Sequence, residues 1–263
     1  MVMNAWASRR KSFVSFWVFI FLAVFIGVPT YFLLQKTPDC NNGLKDGNES
    51  GVDCGGSCNL LCTPETLPLI SRGDARVLEI SPNTYVLTIL IENPNVGGEV
   101  KRAPYTFSIY ALGGKDPIKT FSRETYIGRN TTFALFEGPF VLSDTGPFRA
   151  IFEWGDNLVW EKSDEDTPLI SVESMNLTTD LDGTPRLEAK LINRGSKDLF
   201  NIESVAIISD ADGNTITTNK TFTENISSLG SVPIFFSWPQ KFNSAPVSIR
   251  ILPHVFGDKS FIQ

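Results

Sequence analysis

The feature that most constrains this chain is an uninterrupted apolar run near its N-terminus. From Phe13 to Leu34 the sequence contains no charged residue. An α-helix of that length spans roughly 33 Å at about 1.5 Å per residue, which is enough to cross a hydrocarbon core of about 30 Å. The sequence therefore predicts a transmembrane helix over residues 13–34.

The residues that flank this run predict its orientation. A basic cluster precedes it, within a tail of residues 1–12, and an aromatic residue lies near each end of the run. These flanking residues are Arg9, Arg10 and Lys11, then Trp17 and Tyr31. Basic residues stay on the cytoplasmic side and aromatic rings favour the membrane interfaces. The tail is therefore expected in the cytoplasm, and everything after the helix is expected outside the cell membrane.

A cleavable signal peptide is the alternative interpretation of the same run. Signal peptides have a shorter apolar region, of about 7–15 residues, and end in small residues. Here the run ends in Tyr31, Phe32, Leu33 and Leu34, which are all bulky. The pattern favours an uncleaved signal-anchor.

All four cysteines of the chain lie in a short segment, residues 37–63, directly after the predicted helix. They are Cys40, Cys54, Cys58 and Cys62. The segment is rich in Gly, Asn and Asp and has too few apolar residues to bury a core, so covalent links are expected to hold it. An even cysteine number outside the cytoplasm predicts two disulfides, with three pairings open. A zinc site is an alternative, although the paired C-x2-C spacing of common structural sites is absent.

Calcium is a second possible ligand of this segment. Its candidate oxygen ligands are Asp46, Asn48, Glu49 and Asp53. Calcium takes six to eight oxygen ligands, and the full EF-hand pattern is absent here. Turn formation and solubility explain the same residues without a metal. No other cofactor is expected.

The rest of the chain predicts a mainly β ectodomain of two tandem immunoglobulin-like β-sandwiches. Short apolar or alternating segments separated by turn signals are typical of this architecture. The two halves also repeat: residues 87–93, LTILIEN, align with residues 187–193, LEAKLIN, at an offset of 100 positions. We expect the first sandwich over residues 70–163 and the second over residues 168–258, joined by an acidic linker that ends in a proline.

Catalytic motifs are absent from the sequence. There is no G-x-S-x-G elbow, no phosphate-binding loop and no H-E-x-x-H pattern. His254 is the only histidine, and its position after a proline near the chain end predicts a surface or edge residue. The chain is therefore expected not to be an enzyme, with a carboxylate-only hydrolase as the alternative.

The charge balance narrows the classes of partner. The formal net charge is -6, and the only charges before residue 35 are basic, so the ectodomain is more acidic still. An acidic surface repels phosphate backbones, which argues against nucleic acid. The expected partners are the lipid bilayer and an envelope protein or glycan.

The cysteine segment carries a resemblance to a known group of proteins. Its spacing is C-x13-C-G-G-x-C-x3-C, with the core GVDCGGSC at residues 51–58. Together with the basic start, the single helix and the β-domains, this motif resembles uncharacterised single-pass envelope proteins of candidate-phylum bacteria. The resemblance implies a cell-envelope location and no particular activity. We therefore expect a membrane-anchored, non-catalytic structural or binding protein, with calcium-dependent surface adhesion as an alternative.

Overall fold

The computed structural model describes residues 3–34, 39–143, 146–163 and 167–257. The chain forms two compact units, one up to Cys62 and one from Thr63 onward. The first contains the only helix longer than one turn among the described residues, and the second is built of strands. The mainly β fold class expected from the sequence is confirmed.

The N-terminal helix, α1, runs over Met3–Leu34. Within it the segment Lys11–Phe32 is long and apolar enough to cross a membrane, and its residues are not buried by the rest of the protein. Trp17 and Tyr31 are 55% and 61% exposed. The predicted helix is thus present and begins about three turns earlier than the apolar run, so the basic cluster is helical too; the side chains of Arg9 and Arg10 lie outside the described part.

The second unit contains fourteen strands among its described residues, all paired antiparallel. The first eight are β1 Ile70–Ser71, β2 Arg76–Ser81, β3 Thr84–Glu92, β4 Gly98–Ala111, β5 Lys119–Ile127, β6 Thr132–Val141, β7 Phe148–Trp154 and β8 Glu161–Lys162. The other six are β9 Ile170–Thr179, β10 Pro185–Asn193, β11 Leu199–Ser209, β12 Thr215–Ile226, β13 Ser231–Ser237 and β14 Ser248–Val255. A single 3₁₀ turn, Thr63–Glu65, precedes them.

These strands form four sheets. Sheet 1 contains β1, β2, β3 and β6, and sheet 2 contains β4, β5, β7 and β8. Sheet 3 contains β9, β10 and β13, and sheet 4 contains β11, β12 and β14. Sheets 1 and 2 are the first sandwich, where Tyr85 on β3 meets Phe148 on β7 edge to face at 5.1 Å between ring centroids. Sheets 3 and 4 are the second, and their shared core includes Leu187, Phe236 and Ile208.

The internal repeat seen in the sequence has a structural counterpart at two asparagines. Asn93 ends its strand region and donates from Nδ2 to the carbonyls of Gly98 and Gly128, at 3.0 and 2.7 Å. Asn193 does the same one repeat later, donating to the carbonyl of Lys197 at 2.7 Å and to that of Ser227 at 3.1 Å. Both side chains are buried. Each asparagine therefore supplies buried hydrogen bonds that tie the loop after its strand, β3 or β10, to a neighbouring loop.

The two sandwiches share an apolar interface between sheet 1 and sheet 4. Val86, Ala134 and Phe136 of sheet 1 form one buried cluster with Val205 of sheet 4. Partly buried residues extend the cluster from both sides, namely Leu78, Ile80 and Leu90 from sheet 1 and Ile207 and Leu252 from sheet 4. Sheet 1 is consequently covered on both faces, which explains why β3 is apolar almost throughout and does not alternate.

The boundaries of the two predicted β-domains remain predictions. Residues 164–166 of the expected linker, and residue 258 at the end of the second range, lie outside the described residues. The strand pairing nevertheless keeps β1 to β8 in one pair of sheets and β9 to β14 in the other. The immunoglobulin-like assignment also remains a prediction, while the sandwich architecture is observed.

Candidate functional site

The cysteine segment contains two disulfides, as the sequence predicts. Cys40 is bonded to Cys58 and Cys54 to Cys62, which selects one of the three pairings that spacing left open. The described part of the chain has no free cysteine. Because all four sulfurs are engaged with one another, the segment in this state offers no thiolate to zinc.

Two glycines of the GVDCGGSC core are required by close approach. A Cβ on Gly56 would lie 1.9 Å from the carbonyl oxygen of Asn48, and the residue has a positive φ of 56°. A Cβ on Gly51 would lie 2.8 Å from the Cys54 sulfur and 2.9 Å from the Cys62 sulfur. The motif is therefore specific because backbone and disulfides pack against positions where no side chain fits.

The candidate calcium ligands act as hydrogen-bond acceptors within the segment. Asp53 Oδ1 accepts the amide N–H of Asn42 at 2.9 Å, and its Oδ2 accepts that of Gly43 at 2.9 Å. Asp46 Oδ2 accepts from Asn42 Nδ2 at 2.8 Å. Asn48 Oδ1 accepts from the hydroxyl of Ser57 at 2.9 Å. These oxygens thus hold turns together, which is the metal-free explanation of the motif.

Glu49 is the most buried of the four candidates. It is 5% exposed, and its Oε2 accepts the amide N–H groups of Asp46 and Asp53 at 3.3 and 3.2 Å. Its Oε1 lies 3.2 Å from the Cys58 sulfur, which carries no hydrogen because it is in a disulfide. In the described residues the only group of three or more His, Cys, Asp or Glu ligand atoms within 4.8 Å is Cys40, Glu49 and Cys58. Calcium binding here stays a prediction.

A second candidate site lies where the two sandwiches meet. It is a polar cleft of about 700 Å³, and sequence reasoning missed it. Its principal polar side chains are Tyr105, Arg123 and Glu137 from the first sandwich and Glu203, Lys220 and His254 from the second. We call these six residues and the space between them the junction cleft.

Glu137 is the central carboxyl group on the wall of the junction cleft that the first sandwich forms. Its Oε1 accepts a hydrogen bond from the Tyr105 hydroxyl at 3.1 Å and lies 3.8 Å from Arg123 Nε. Burial raises the pKa of Glu137, and the Tyr105 hydrogen bond and the Arg123 charge oppose that rise. Burial also raises the pKa of Tyr105, further helped by the Glu137 charge. Tyr105 is therefore a fixed hydrogen-bond donor at neutral pH.

The opposite wall carries an ion pair. Lys220 Nζ lies 2.9 Å from Glu203 Oε2, and the same ammonium lies 5.5 Å from the centroid of the Phe136 ring across the interface. A cation over an aromatic face is attracted to the ring electrons. Lys220 therefore links the two sandwiches while it neutralises Glu203.

The prediction that His254 lies at the surface is wrong, while its alternative, an edge position, is met because β14 is an edge strand of sheet 4. The residue is 5% exposed, and its ring stacks between Phe133 at 4.3 Å and Phe256 at 4.4 Å between centroids. It lies on β14, which is paired along one side of β11, and the first sandwich covers its other side. Burial lowers the pKa of His254 to about 4, opposed by a hydrogen bond to the backbone of Tyr126. The ring is thus neutral at pH 7, and its buried Nε2 has no hydrogen-bond partner in the part of the chain that the structure describes.

Comparison with known proteins yields no matching family model and no matching curated protein. The candidate sites therefore rest on the geometry of the cysteine segment and of the junction cleft.

We expect Gly56→Ala to disrupt the pairing of the four cysteines. The added methyl group would overlap the Asn48 carbonyl oxygen at 1.9 Å, so the loop between the disulfides cannot close as observed. Peptide mapping after alkylation should show free or re-paired cysteines in this variant. The matched control is Gly43→Ala, because Gly43 also has a positive φ, 70°, and a Cβ there meets nothing within 4 Å. Native pairing in Gly56→Ala as complete as in the control would contradict this account of the motif.

We expect the free energy of unfolding to fall as pH drops from about 6.5 toward 4. The pKa of His254 is about 4 in the folded state against 6.5 when unfolded, so the unfolded chain binds the proton first and acid favours unfolding. The stability lost on acidification is about 3 kcal/mol, because each unit of difference between the folded and unfolded pKa of His254 contributes about 1.4 kcal/mol.

Urea titrations of the wild type and of His254→Gln across this pH range isolate the effect. The raised pKa of Glu137 means that its protonation stabilises the folded state on acidification. This contribution is the same in both proteins. The stability difference between the two should therefore shrink on acidification. A pH-independent difference would show that His254 does not titrate differently in the folded state.

Proposed function

We propose that this chain is a single-pass protein of the cell envelope that anchors a β-sandwich module outside the cytoplasm. The proposal rests on the order of two features along the chain. A helix apolar enough for the bilayer is followed at once by a segment held by two disulfides. The first feature supports a membrane span, and the second favours the oxidising side of that membrane.

The helix supports membrane anchoring through its exposed surface. Phe13, Phe19 and Phe25 are 64%, 71% and 66% exposed, and the surrounding aliphatic side chains are similarly uncovered. Burying each such side chain in an apolar phase is worth about 1.5–3 kcal/mol. A helix with this surface is stable in lipid and would aggregate in water.

Two independent arguments give the same orientation. Disulfides persist in exported segments and are rare in the cytoplasm. The basic residues Arg9, Arg10 and Lys11 precede the apolar run, and basic flanks stay cytoplasmic. Both arguments support a cytoplasmic N-terminus, with the cysteine segment and both sandwiches outside.

The exported part serves as a structural or binding module and not as a catalyst. Its immunoglobulin-like character, and the resemblance of its cysteine motif to candidate-phylum envelope proteins, are part of this proposal. Sheet edges and loops are the surfaces that such modules offer to proteins and glycans. The acidic balance of the chain, -6 overall, disfavours nucleic acid as a partner.

One observation favours the hydrolase alternative that the sequence left open. The junction cleft contains two carboxyl groups from different sandwiches: Glu137, whose pKa burial raises, and Glu203, which is paired with Lys220 at 2.9 Å. Glycoside hydrolases use a pair of carboxyl groups that face one cleft. The calcium-adhesion alternative receives no comparable support from the oxygens of the cysteine segment, which already accept internal hydrogen bonds.

Cysteine labelling in spheroplasts of an expressing bacterium tests the proposed topology. Asn176→Cys, at an exposed position of β9, should react with a membrane-impermeant maleimide before lysis. Ala5→Cys, in the predicted cytoplasmic tail, should react only after permeabilisation. If the Asn176→Cys protein is labelled only after lysis, the proposed orientation is wrong.

A further inference from the structure

The junction cleft has the composition of a binding site for an uncharged polar molecule. Its lining includes three cationic side chains, Arg102, Arg123 and Lys220, and three carboxylates, Glu124, Glu137 and Glu203. The charges balance, and His254 adds none at neutral pH. A phosphate, a metal cation or a strongly charged peptide would find as much repulsion as attraction there.

Several hydrogen-bonding groups of the cleft are not used up by contacts within the protein. Glu137 engages Tyr105 and Arg123 through Oε1, and its second oxygen makes no hydrogen bond with the described residues. The Arg123 side chain is 50% exposed, and of its five N–H donors one bonds the Ser122 carbonyl at 3.3 Å. The cleft therefore offers an acceptor and several donors side by side.

His254 supplies a second, independent indication of a missing partner. Its Nε2 is buried and meets no hydrogen-bond partner among the described residues, while the ring is hydrogen-bonded to the backbone of Tyr126. A neutral imidazole held in this way presents Nε2 as an acceptor. Buried acceptors are rarely left unpaired, and His254 is part of the lining of the cleft.

The apolar parts of the lining restrict the ligand further. Phe256 is a partly exposed ring that lines the same cleft, while the rings of Tyr105 and Phe136 in the lining are buried. A sugar ring presents C–H groups on its faces and hydroxyl groups, which donate and accept at once, around its rim. Mixed carboxylate, guanidinium and aromatic surroundings match both surfaces of such a molecule.

We propose that the junction cleft binds a neutral sugar residue of an extracytoplasmic glycan, with Glu137, Arg123 and His254 as its principal hydrogen-bonding groups. This inference rests on the proposed function, since the glycan must lie on the same side of the membrane as the sandwiches. The junction cleft, which both sandwiches form, is then the place where the module contacts its partner.

The test uses full-length protein in lipid nanodiscs, because sugar-headed detergents would compete for the site. Saturation-transfer NMR and calorimetric titration would use glucose, galactose, mannose, N-acetylglucosamine and their short oligomers as probes. We expect saturable binding of at least one probe. Glu137→Gln should weaken it about tenfold, equivalent to about 1.4 kcal/mol, since an amide replaces one acceptor oxygen and the charge-assisted bond is lost.

Two further variants separate ligand contact from general damage. Tyr105→Phe keeps the ring but removes the hydroxyl that orients Glu137, and should weaken binding while leaving the thermal midpoint within a few degrees. Glu188→Gln is the matched control, because Glu188 is exposed on sheet 3, where it pairs with Arg186 at 3.5 Å, and should bind as the wild type does.

Three outcomes decide the proposal. Saturable binding lost in Glu137→Gln and kept in Glu188→Gln supports it. Cleavage of nitrophenyl glycosides that depends on Glu137 also supports the sugar site, and would replace the non-catalytic function by a hydrolytic one. Failure of every probe to bind, or equal binding by Glu137→Gln and Glu188→Gln, overturns the sugar site. The topology determined by cysteine labelling does not depend on this result.

Discussion

The second unit depends on the apolar contact between sheet 1 and sheet 4. Strand β3 is buried on both faces, with Leu87 and Ile91 at 0% exposure on one side and Val86 at 2% on the other. An antiparallel sheet in an isolated sandwich would expose one face and alternate between apolar and polar residues. Here Val86, Ala134 and Phe136 are covered by Val205 and its neighbours. Without the second sandwich, this apolar face of sheet 1 would be exposed to water.

The junction cleft follows from the same contact. Side chains two positions apart on a strand share a face, so Glu203 extends the face that carries Val205, and His254 extends the face that carries Leu252. The interface is apolar at Val205 and Leu252, which belong to the cluster with Ala134 and Phe136, and polar at Glu203 and His254, which line the cleft. Because both walls are held by one packed interface, the cleft has a defined shape that two loosely linked sandwiches could not maintain.

Local features of the structure could be predicted from the sequence, and long-range contacts could not. The apolar run, the cysteine content and the repeat at Asn93 and Asn193 each depend on nearby residues or on composition, and all have structural counterparts. The disulfide pairing could not be chosen by spacing, since it depends on the turn at Gly56. His254 was misplaced because its burial comes from Phe133, more than a hundred positions away. The continuous apolar stretch of β3 was the one available sign that both faces of sheet 1 are covered.

Hydrogen exchange on the Val205→Asp variant tests the interface most directly. A buried charge at this position of sheet 4 should lower the protection of backbone amides in β3 and β6, which belong to the other sandwich, as well as in its own sheet. Val247→Asp is the matched control, since Val247 is 65% exposed, and should leave protection in β3 and β6 unchanged. Loss of protection confined to sheets 3 and 4 in Val205→Asp would contradict the account, because it would mean that the first sandwich is stable without the second.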